Sequence, residues 1–192
     1  MDRIDLPASL QQPVLEGPTL RLRPLVATDF DALYAVASDP LLWEQHPDRL
    51  RYQRPVFEKL FAGALASGGA LTVVQRESGR IIGSSRFYDY RPAERTVCIG
   101  YTFIARDCWG GACNGEMKAL MLAHAAGFAD TVWFHVGPDN RRSRRAMEKI
   151  GAVFSHVEDW VLTLNGPPNP TAFYRFELRQ ATRCSSEILA SS

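Results

Sequence analysis

Two adjacent glycines, Gly110 and Gly111, stand between an apolar run at residues 99–104 and a segment with helical periodicity. The apolar run is typical of a strand, so the glycines lie at a predicted strand-to-helix turn. Glycine lets the backbone approach a ligand closely, and the first amides of a helix lack partners inside the helix. With the positive end of the helix dipole, these amides would bind an anion such as a pyrophosphate. Glycine pairs also close ordinary turns, so this pattern alone leaves both interpretations open.

Asn140 is a second position with a chemical role, because asparagine is a preferred cap at the start of a helix. Ser143 lies one turn further along the same predicted helix and faces the same side. A basic cluster shares this helix and consists of Arg141, Arg142, Arg144 and Arg145. Such a cluster is typical of a nucleic-acid surface or of a face exposed to solvent, and the sequence leaves these interpretations open.

Alternating strands and helices must position these residues. Periodicity, caps and turn residues predict helices over residues 28–38, over residues 55–66, after the Gly-rich turn, and from Asn140 to Gly151. Thr28 and Asp31 have the spacing of a capping box for the first helix. Strands are predicted at residues 19–25, 71–76, 80–88, 96–104, 131–136, 157–164 and 172–178.

The helix after the Gly-rich turn has the clearest pattern. Met117, Leu120, Met121 and Phe128 fall at helical spacing on one face, which predicts that this face is buried. His124 lies on the same stripe, so we interpret it as a packed residue and not as a catalyst.

Composition sets broad limits on the function. The chain has 192 residues, which favours a single domain, and a net charge of +1, which gives no general attraction to nucleic acid or to anionic membranes. Cys98, Cys108, Cys113 and Cys184 lack the spacing of a metal site, so reduced thiols and no metal are expected. The first residues lack the apolar segment of a signal peptide, and no run of about 20 apolar residues occurs, which favours a cytoplasmic protein.

Five segments of the chain match one known family in order. They are residues 15–25, 82–87 and 99–102, the segment from Trp-Gly-Gly at residues 109–111 to Asn-Gly-Glu-Met-Lys at residues 114–118, and residues 140–152, which begin with Asn-Arg-Arg-Ser-Arg-Arg. With these segments the sequence resembles the GCN5-related N-acetyltransferase (GNAT) family, in particular its branch of ribosomal-protein N-terminal acetyltransferases related to RimJ and RimL. The resemblance covers nearly the whole chain.

The resemblance implies one α/β (α+β) domain at residues 14–180, after a lead-in at residues 1–13 and before a flexible tail at residues 181–192. The expected sheet is mixed and mainly antiparallel, has about seven strands, and carries helices on both faces. Two neighbouring parallel strands of this fold diverge part-way along, and here they would be residues 96–104 and 131–136.

The implied cofactor is acetyl-CoA. Its pantetheine arm would lie in the gap between the diverging strands, and its pyrophosphate would meet the amides of residues 110–115. The basic cluster gains a third interpretation, as cations near the cofactor phosphates. The expected cofactor-binding residues are Phe103, Ile104, Ala105, Trp109, Gly110, Gly111, Ala112, Cys113, Asn114, Asn140, Ser143 and Arg144. The family commonly has smaller residues where Ala112 and Asn114 stand, which we interpret as a variant of the turn.

The implied reaction is direct attack of an amine on the thioester. It needs a neutral amine, donors for the oxygen that gains charge, and a proton for the departing thiolate. Many relatives have a basic glutamate at the position of Cys98 and an acidic tyrosine at that of Met147, and neither residue present can do that work readily. Either other groups act or catalysis relies on positioning. The candidates are Asp89, Glu94, Asn140 and Ser143, and water could also deliver the proton.

The acceptor is the least determined part of the prediction. His46, Trp43, Tyr52 and Tyr88 could line an amine pocket or belong to the core. The sequence around these residues contains no acidic cluster that would bind a polycationic acceptor, so a protein N-terminal α-amine or a small monoamine is favoured. A homodimer is compatible with the resemblance. Two rival functions remain open, an inactive acyl-CoA-binding regulatory module and a nucleic-acid binder.

Overall fold

A computed structural model of the chain describes residues 12–162 and 166–178. The predicted tail, nearly all of the predicted lead-in and Cys184 lie outside these residues. Residues 163–165 also lie outside them, so the predicted final hairpin is described only in part. Among the described helices, none combines the length and the apolar character that a membrane span requires.

A single sheet organises the described residues. Its strands are β1 (Leu15–Glu16), β2 (Leu20–Pro24), β3 (Ala70–Gln75), β4 (Ile81–Arg91), β5 (Thr96–Ile104), β6 (Thr131–Val136), β7 (Val153–Trp160) and β8 (Asn169–Glu177). They lie in the order β1-β2-β3-β4-β5-β6-β8-β7, and every neighbouring pair except β5 and β6 is antiparallel. The predicted mixed, mainly antiparallel sheet is confirmed.

Two details of the predicted sheet are wrong. The described residues form eight strands and not seven, because Leu15 and Glu16 pair with β2. Two residues are too few to produce the alternation by which strands are recognised. The strand predicted at residues 157–164 begins at Val153 instead. It is the edge of the sheet and almost all of its residues are exposed, so no buried face marks its start.

Four α-helices of the described residues cover both faces of this sheet, as predicted. They are α1 (Phe30–Ala37), α2 (Arg54–Ala66), α3 (Cys113–Ala125) and α4 (Arg141–Lys149). Met117 and Met121 of α3 pack with Met147 of α4 in one core cluster on the sheet. Leu33 of α1 and Phe57 of α2 belong to a second cluster. Burial of these apolar side chains is the main force that holds the helices on the sheet.

The predicted capping box of Thr28 and Asp31 is wrong, because the N-cap of α1 is Asp29 and no side-chain hydrogen bond caps this end. Asp29 instead joins α1 to the sheet. Its carboxylate accepts hydrogen bonds from both terminal nitrogens of Arg23 at 2.6 and 2.7 Å and from Thr72 Oγ1 at 2.7 Å. It also accepts one from the Val26 amide at 3.1 Å. Burial alone would raise the pKa of Asp29, but these hydrogen bonds and the charge of Arg23 lower it. The carboxylate therefore connects β2, β3 and the start of α1.

The parallel strands β5 and β6 diverge after only three residue pairs. Thr96 pairs with Thr131, Val97 with Val132 and Cys98 with Trp133, and no further pair follows. Beyond Cys98 the two strands separate, although both continue. The predicted divergence of this pair is confirmed.

Candidate active site

A cleft of about 680 Å³ occupies the gap between the diverged strands. Its walls are β5 from Ile99 to Ile104, β6 from Phe134 to Val136, and the facing parts of α3 and α4. The segment before α2 closes one side with Trp43, His46 and Arg51. This volume lies within the usual range of a small-molecule site.

The Gly-rich turn leads from the cleft into α3. Gly110 has a φ of +75°, a left-handed conformation that glycine adopts without strain. The first amide bonded inside the helix is that of Glu116, which donates to Ala112 at 2.9 Å. Helix geometry thus leaves the amides of residues 113–115 without intrahelical partners at the positive end of α3. Trp109, Gly110, Gly111 and Asn114 line the cleft, whereas Ala112 and Cys113 do not.

Glu116 fixes the position of this turn. Its carboxylate accepts hydrogen bonds from the amides of Thr19 and Leu20, both at 2.8 Å, and from the Thr19 hydroxyl. Burial favours a raised pKa for Glu116, but the three hydrogen bonds lower it overall. The start of α3 is therefore held against the start of β2, which is separated from β6 by β3, β4 and β5 in the sheet.

Asn140 and Ser143 both line the cleft at the start of α4. Asn140 is only 5% exposed, and its Oδ1 accepts a hydrogen bond from the Ser143 amide at 3.1 Å. The predicted N-cap is thus present, with the rest of the asparagine side chain beside the cleft. The structure brings these two predicted residues together with the Gly-rich turn.

The basic cluster divides between two sides of α4. Arg141, Arg142 and Arg145 line the cleft. Arg144 does not, because its Nε donates to the Tyr174 hydroxyl at 2.9 Å and its guanidinium also bonds to the Pro138 carbonyl at 3.2 Å. Arg144 therefore stabilises the contact of α4 with β8 and lies apart from the other predicted cofactor-binding residues.

On β5, Phe103 and Ile104 line the cleft, but Ala105 does not. The Ala105 amide already donates to the Ile82 carbonyl at 2.7 Å. The strand contains a bulge at Tyr101, whose φ of +53° is rare for a residue with a side chain. Strained backbone of this kind is common at binding sites, where it redirects groups toward a ligand.

Beyond the bulge, a cluster of polar side chains lies at the β5–β6 junction. His135 of β6 lines the cleft, and its Nδ1 is 3.0 Å from the Tyr88 hydroxyl. Its Nε2 is 3.9 Å from the sulfur of Cys98. Burial lowers the pKa of His135 to about 4, so its imidazole is neutral at neutral pH. Burial also raises the pKa of the Cys98 thiol well above its ordinary value, so the thiol stays protonated at neutral pH and cannot act as a base.

The two predicted carboxylates lie outside the cleft lining. Asp89 forms an ion pair with Arg91 at 3.3 Å and is 4.0 Å from the sulfur of Cys98. Glu94 is mostly exposed and lies 3.7 Å from the same arginine. Asp89 thus lies behind Cys98, and Glu94 lies further out on the loop after β4.

Two buried arginines flank the bulge. Arg51 bonds to Asp48 Oδ2 at 3.2 Å and to the Leu162 carbonyl at 3.1 Å. The guanidinium of Arg86 lies 4.0 Å from the centre of the Tyr101 ring. The Nε of Arg86 is buried and has no hydrogen-bond partner. Every other buried side-chain nitrogen or oxygen in the described part of the chain has one. The surroundings of the bulge are therefore positively charged.

Lys118 and His135 are residues of the cleft that sequence reasoning missed. Lys118 lines the cleft from α3 yet is only 2% exposed. Its neighbours at i+3, i+4 and i+7 are Met121, Leu122 and Ala125, all buried, and this spacing could have placed it on the inner face. His135 alternates with the buried Phe134 and Val136 along β6, which could have shown that it faces the opposite side of the sheet.

The described lining of the cleft carries six cationic side chains and no carboxylate. The cationic residues are Arg51, Lys118, Arg141, Arg142, Arg145 and Lys149. The described residues also contain no group of three or more His, Cys, Asp or Glu side chains that could hold a metal ion. The arrangement suits an anionic ligand bound between the strands, with its phosphates at the start of α3.

Comparison with known proteins identifies the family. A family model described as the acetyltransferase (GNAT) domain matches residues 19–153. The chain has no match among curated proteins. A GCN5-related N-acetyltransferase from Brucella melitensis has a similar structure, with a TM-score of 0.75, 22% identity, and coverage of 90% of this chain and 85% of that one.

Two further solved structures share the fold. RimJ from Mycobacterium smegmatis, in complex with CoA-disulfide, has a TM-score of 0.67 and 17% identity, with 88% of each chain covered. RimL, the ribosomal L7/L12 α-N-protein acetyltransferase in complex with coenzyme A, has a TM-score of 0.69 and 16% identity, with 86% of this chain and 98% of that one covered. At these identities the likeness is one of fold. The family prediction is confirmed by the match over most of the chain, and the protein belongs to the GNAT family as an acetyl-CoA-dependent N-acetyltransferase.

Proposed function

We propose that this enzyme transfers the acetyl group of acetyl-CoA by direct attack of a primary amine, either a peptide N-terminal α-amine or a small monoamine. The observation that carries the proposal is the early end of the β5–β6 pairing. It leaves a gap that is continuous with the start of α3 and with the cationic face of α4. A long anionic cofactor can therefore lie with its arm between the strands and its phosphates at the helix.

The residues around the gap fit such a cofactor. The amides of residues 113–115 and the glycines before them would bind the pyrophosphate, as unpaired amides at a helix start do. Arg141, Arg145 and Lys149 would supply positive charge for the remaining phosphate. Asn140 would bond to the arm of the cofactor. When bound, acetyl-CoA supplies an acetyl group that its thioester activates toward amines.

The charge of the cleft favours an acceptor with a single amine. No carboxylate lines the cleft in the described residues, so a polycation would find no counter-charge there. A peptide α-amine has a pKa of about 8, so a useful fraction is neutral at cellular pH and can react without a strong base. Positioning such an amine against an activated acetyl group can lower the barrier by about 7–11 kcal/mol.

The pair of His135 and Tyr88 would accept the proton that the amine loses. The imidazole is neutral because burial lowers the pKa of His135, and the Tyr88 hydroxyl lies 3.0 Å from its Nδ1. A weak base of this kind is sufficient for an amine that becomes strongly acidic during attack. Backbone donors on the part of β5 that faces the gap would stabilise the carbonyl oxygen.

Calorimetric titration with acetyl-CoA, with coenzyme A and with a nucleotide that lacks pantetheine tests the cofactor site. Selective micromolar affinity for the first two supports the proposal. A panel of peptides and small amines is then assayed for thiol release. Tight binding with no thiol release from any amine would instead favour an inactive acyl-CoA-binding regulatory module. A lack of binding would contradict the cofactor site, and a homodimer and a cytoplasmic location stay predictions in either case.

A further inference from the structure

Lys118 is a buried cation whose hydrogen-bond partners are hydroxyl groups. Its Nζ donates to Thr102 Oγ1 at 2.8 Å and lies 3.5 Å from Ser85 Oγ. The ammonium also lies 5.5 Å from the centre of the Phe134 ring. Burial alone lowers its pKa to about 7, and no neighbouring charge contributes to that shift. Both the charged and the neutral form of Lys118 are therefore populated near neutral pH.

A neutral side chain of similar shape would stabilise the fold better in this place. Burial of an ammonium without a carboxylate is costly, and two hydroxyls compensate only part of that cost. The apolar neighbours of Lys118 on α3, Met117 and Met121, show that a methionine suits this face of the helix. The lysine at this site thus indicates a function other than packing.

The position of Lys118 suggests that function. Thr102 belongs to the part of β5 beyond its last pair with β6, and Phe134 belongs to the part of β6 beyond that pair. The ammonium contacts both, so it lies where the two strands have separated. The ammonium also lies near Ser85 of β4. Met147 of α4 lines the same cleft but carries no acidic proton.

Other groups of the cleft are poorer proton donors at neutral pH. Arginine does not release its proton in proteins, which excludes Arg141 and Arg145. Burial raises the pKa of the Cys108 thiol to about 12. His135 is neutral and faces the opposite side of the sheet.

We propose that Lys118 is the proton donor of the transfer reaction and that its Nζ protonates the sulfur of the departing thiol. This inference rests on the proposed function. As the amine nitrogen bonds to the acetyl carbon, the carbon–sulfur bond breaks, and its electron pair takes the proton from Nζ. The amine loses one proton to His135, which passes it to solvent, and solvent returns one proton to Lys118, so both residues end the turnover in their starting protonation states.

The first test needs binding and no turnover. Coenzyme A is bound to the wild type and to Lys118→Met, and the thiol is titrated by its ultraviolet thiolate absorbance. The ammonium of Lys118 and the thiolate stabilise each other, so the thiol pKa of bound coenzyme A should be lower in the wild type than in Lys118→Met. The wild-type titration curve should also be shallow, because Lys118 loses its own proton in the same pH range. Lys59→Met is the matched control, because Lys59 is exposed on α2 and does not line the cleft.

The second test separates charge from proton donation. Lys118→Arg retains a positive charge but cannot release a proton. We expect it to keep the lowered thiol pKa while kcat falls about 100-fold, the usual contribution of a general acid. Lys118→Met should lose a similar factor in kcat, with the KM for the amine changed less than about threefold, because Lys118 acts on the leaving group. Circular dichroism checks that both variants fold.

The outcomes distinguish the two proposals. If coenzyme A does not bind to the wild type, the cofactor site itself is contradicted. If it binds with the same thiol pKa in the wild type and in Lys118→Met, Lys118 is not near the sulfur and the inference is overturned. A kcat of Lys118→Met within about threefold of the wild type would also overturn it.

Discussion

The guanidinium of Arg142 lies 3.8 Å from the centre of the Trp109 ring, so α4 meets the segment before the Gly-rich turn. The same guanidinium donates to the Leu42 carbonyl at 2.8 Å, and the Arg142 amide donates to Gln45 Oε1 at 3.2 Å. One residue thus connects three segments that line the cleft. The shape of the cleft therefore depends on Arg142, whereas Arg144 extends from the other side of α4 and donates to the Tyr174 hydroxyl.

Replacement of Arg142 by alanine should weaken binding of acetyl-CoA by about tenfold, since a stacking contact and a charged hydrogen bond are lost. Arg142→Lys should recover little, because lysine lacks the flat guanidinium. Arg144→Ala is the comparison, and it should lower the melting temperature with an affinity within about twofold of the wild type. Calorimetry and thermal unfolding measure both effects. A larger loss of affinity in Arg144→Ala would show that α4 presents its other side to the cofactor.

Asn140→Ala should reduce the use of acetyl-CoA much more than Asp89→Ala or Glu94→Ala. Asn140 lines the cleft, whereas the two carboxylates do not. Loss of the helix cap alone costs about 1 kcal/mol of stability. Asn140→Ser keeps a capping oxygen and removes the amide, so kcat/KM for acetyl-CoA in this variant isolates the contact with the cofactor. Equal, small effects of all four substitutions would contradict the ranking.

Glu116→Gln should destabilise the protein by about 1–2 kcal/mol, because it weakens charge-assisted hydrogen bonds to Thr19 and Leu20. The folded-state pKa of Glu116 is lowered, so the stabilisation is present above the ordinary value of 4.5 and is lost as the pH falls through the folded pKa. Denaturant unfolding at neutral and at acid pH measures this change. Glu58→Gln, at an exposed ion pair on α2, is the control and should be nearly neutral. A difference between wild type and Glu116→Gln that is constant down to acid pH would contradict the account.

Lys118→Met should raise the free energy of unfolding of the ligand-free enzyme by about 1–4 kcal/mol at pH 7 or below. Folding lowers the pKa of Lys118 from 10.5 to about 7, so the unfolded chain binds more protons between these values. The stability of the wild type therefore rises with pH in this range, and the advantage of the variant decreases toward zero near the upper value. Urea unfolding at several pH values gives both curves. A loss of stability in Lys118→Met at neutral pH would show that the ammonium holds the fold together.

His135→Phe should lower kcat by about 100-fold if the imidazole accepts the amine proton. The phenyl ring keeps the packing against Phe173, whose ring centre lies 4.3 Å from that of the imidazole. Because the pKa of His135 is about 4, its protonation should reduce activity only well below neutral pH. Steady-state rates between pH 5 and 9 (about the stable range of many proteins) test this. An acidic limb near pH 6.5 that is lost in His135→Phe would show that this pKa is not lowered.

The sequence predicted the elements with strong periodicity and the turns between them. Gly110, Gly111 and Asn140 were found because glycine pairs and caps have local signatures. The divergence of β5 and β6 came from the resemblance to the family and not from any local pattern. The edge strand β7 was misplaced, since its exposed side chains give no alternation.

The chemistry within the cleft was harder to predict, because it depends on pairs of residues far apart in the chain. Lys118 contacts Thr102 only once α3 packs on β5, and His135 contacts Tyr88 only once β4 and β6 share the sheet. The sequence also could not tell that Arg144 turns toward Tyr174 while Arg145 faces the cleft. Neighbouring residues on a helix differ by about 100° in direction, so a shift of one position changes the side on which a charge lies.

The short junction between β5 and β6 has a mechanical consequence. Strands β1–β5 and strands β6–β8 form two blocks of the sheet that share three residue pairs. At the proposed site a bound cofactor would contact both blocks and hold them together. A free cofactor concentration of 100 times its dissociation constant adds about 2.7 kcal/mol to the free energy of unfolding. Amide protons of β5 that face the gap then change from solvent-exchanging to protected, so hydrogen exchange reports the union of the two blocks directly.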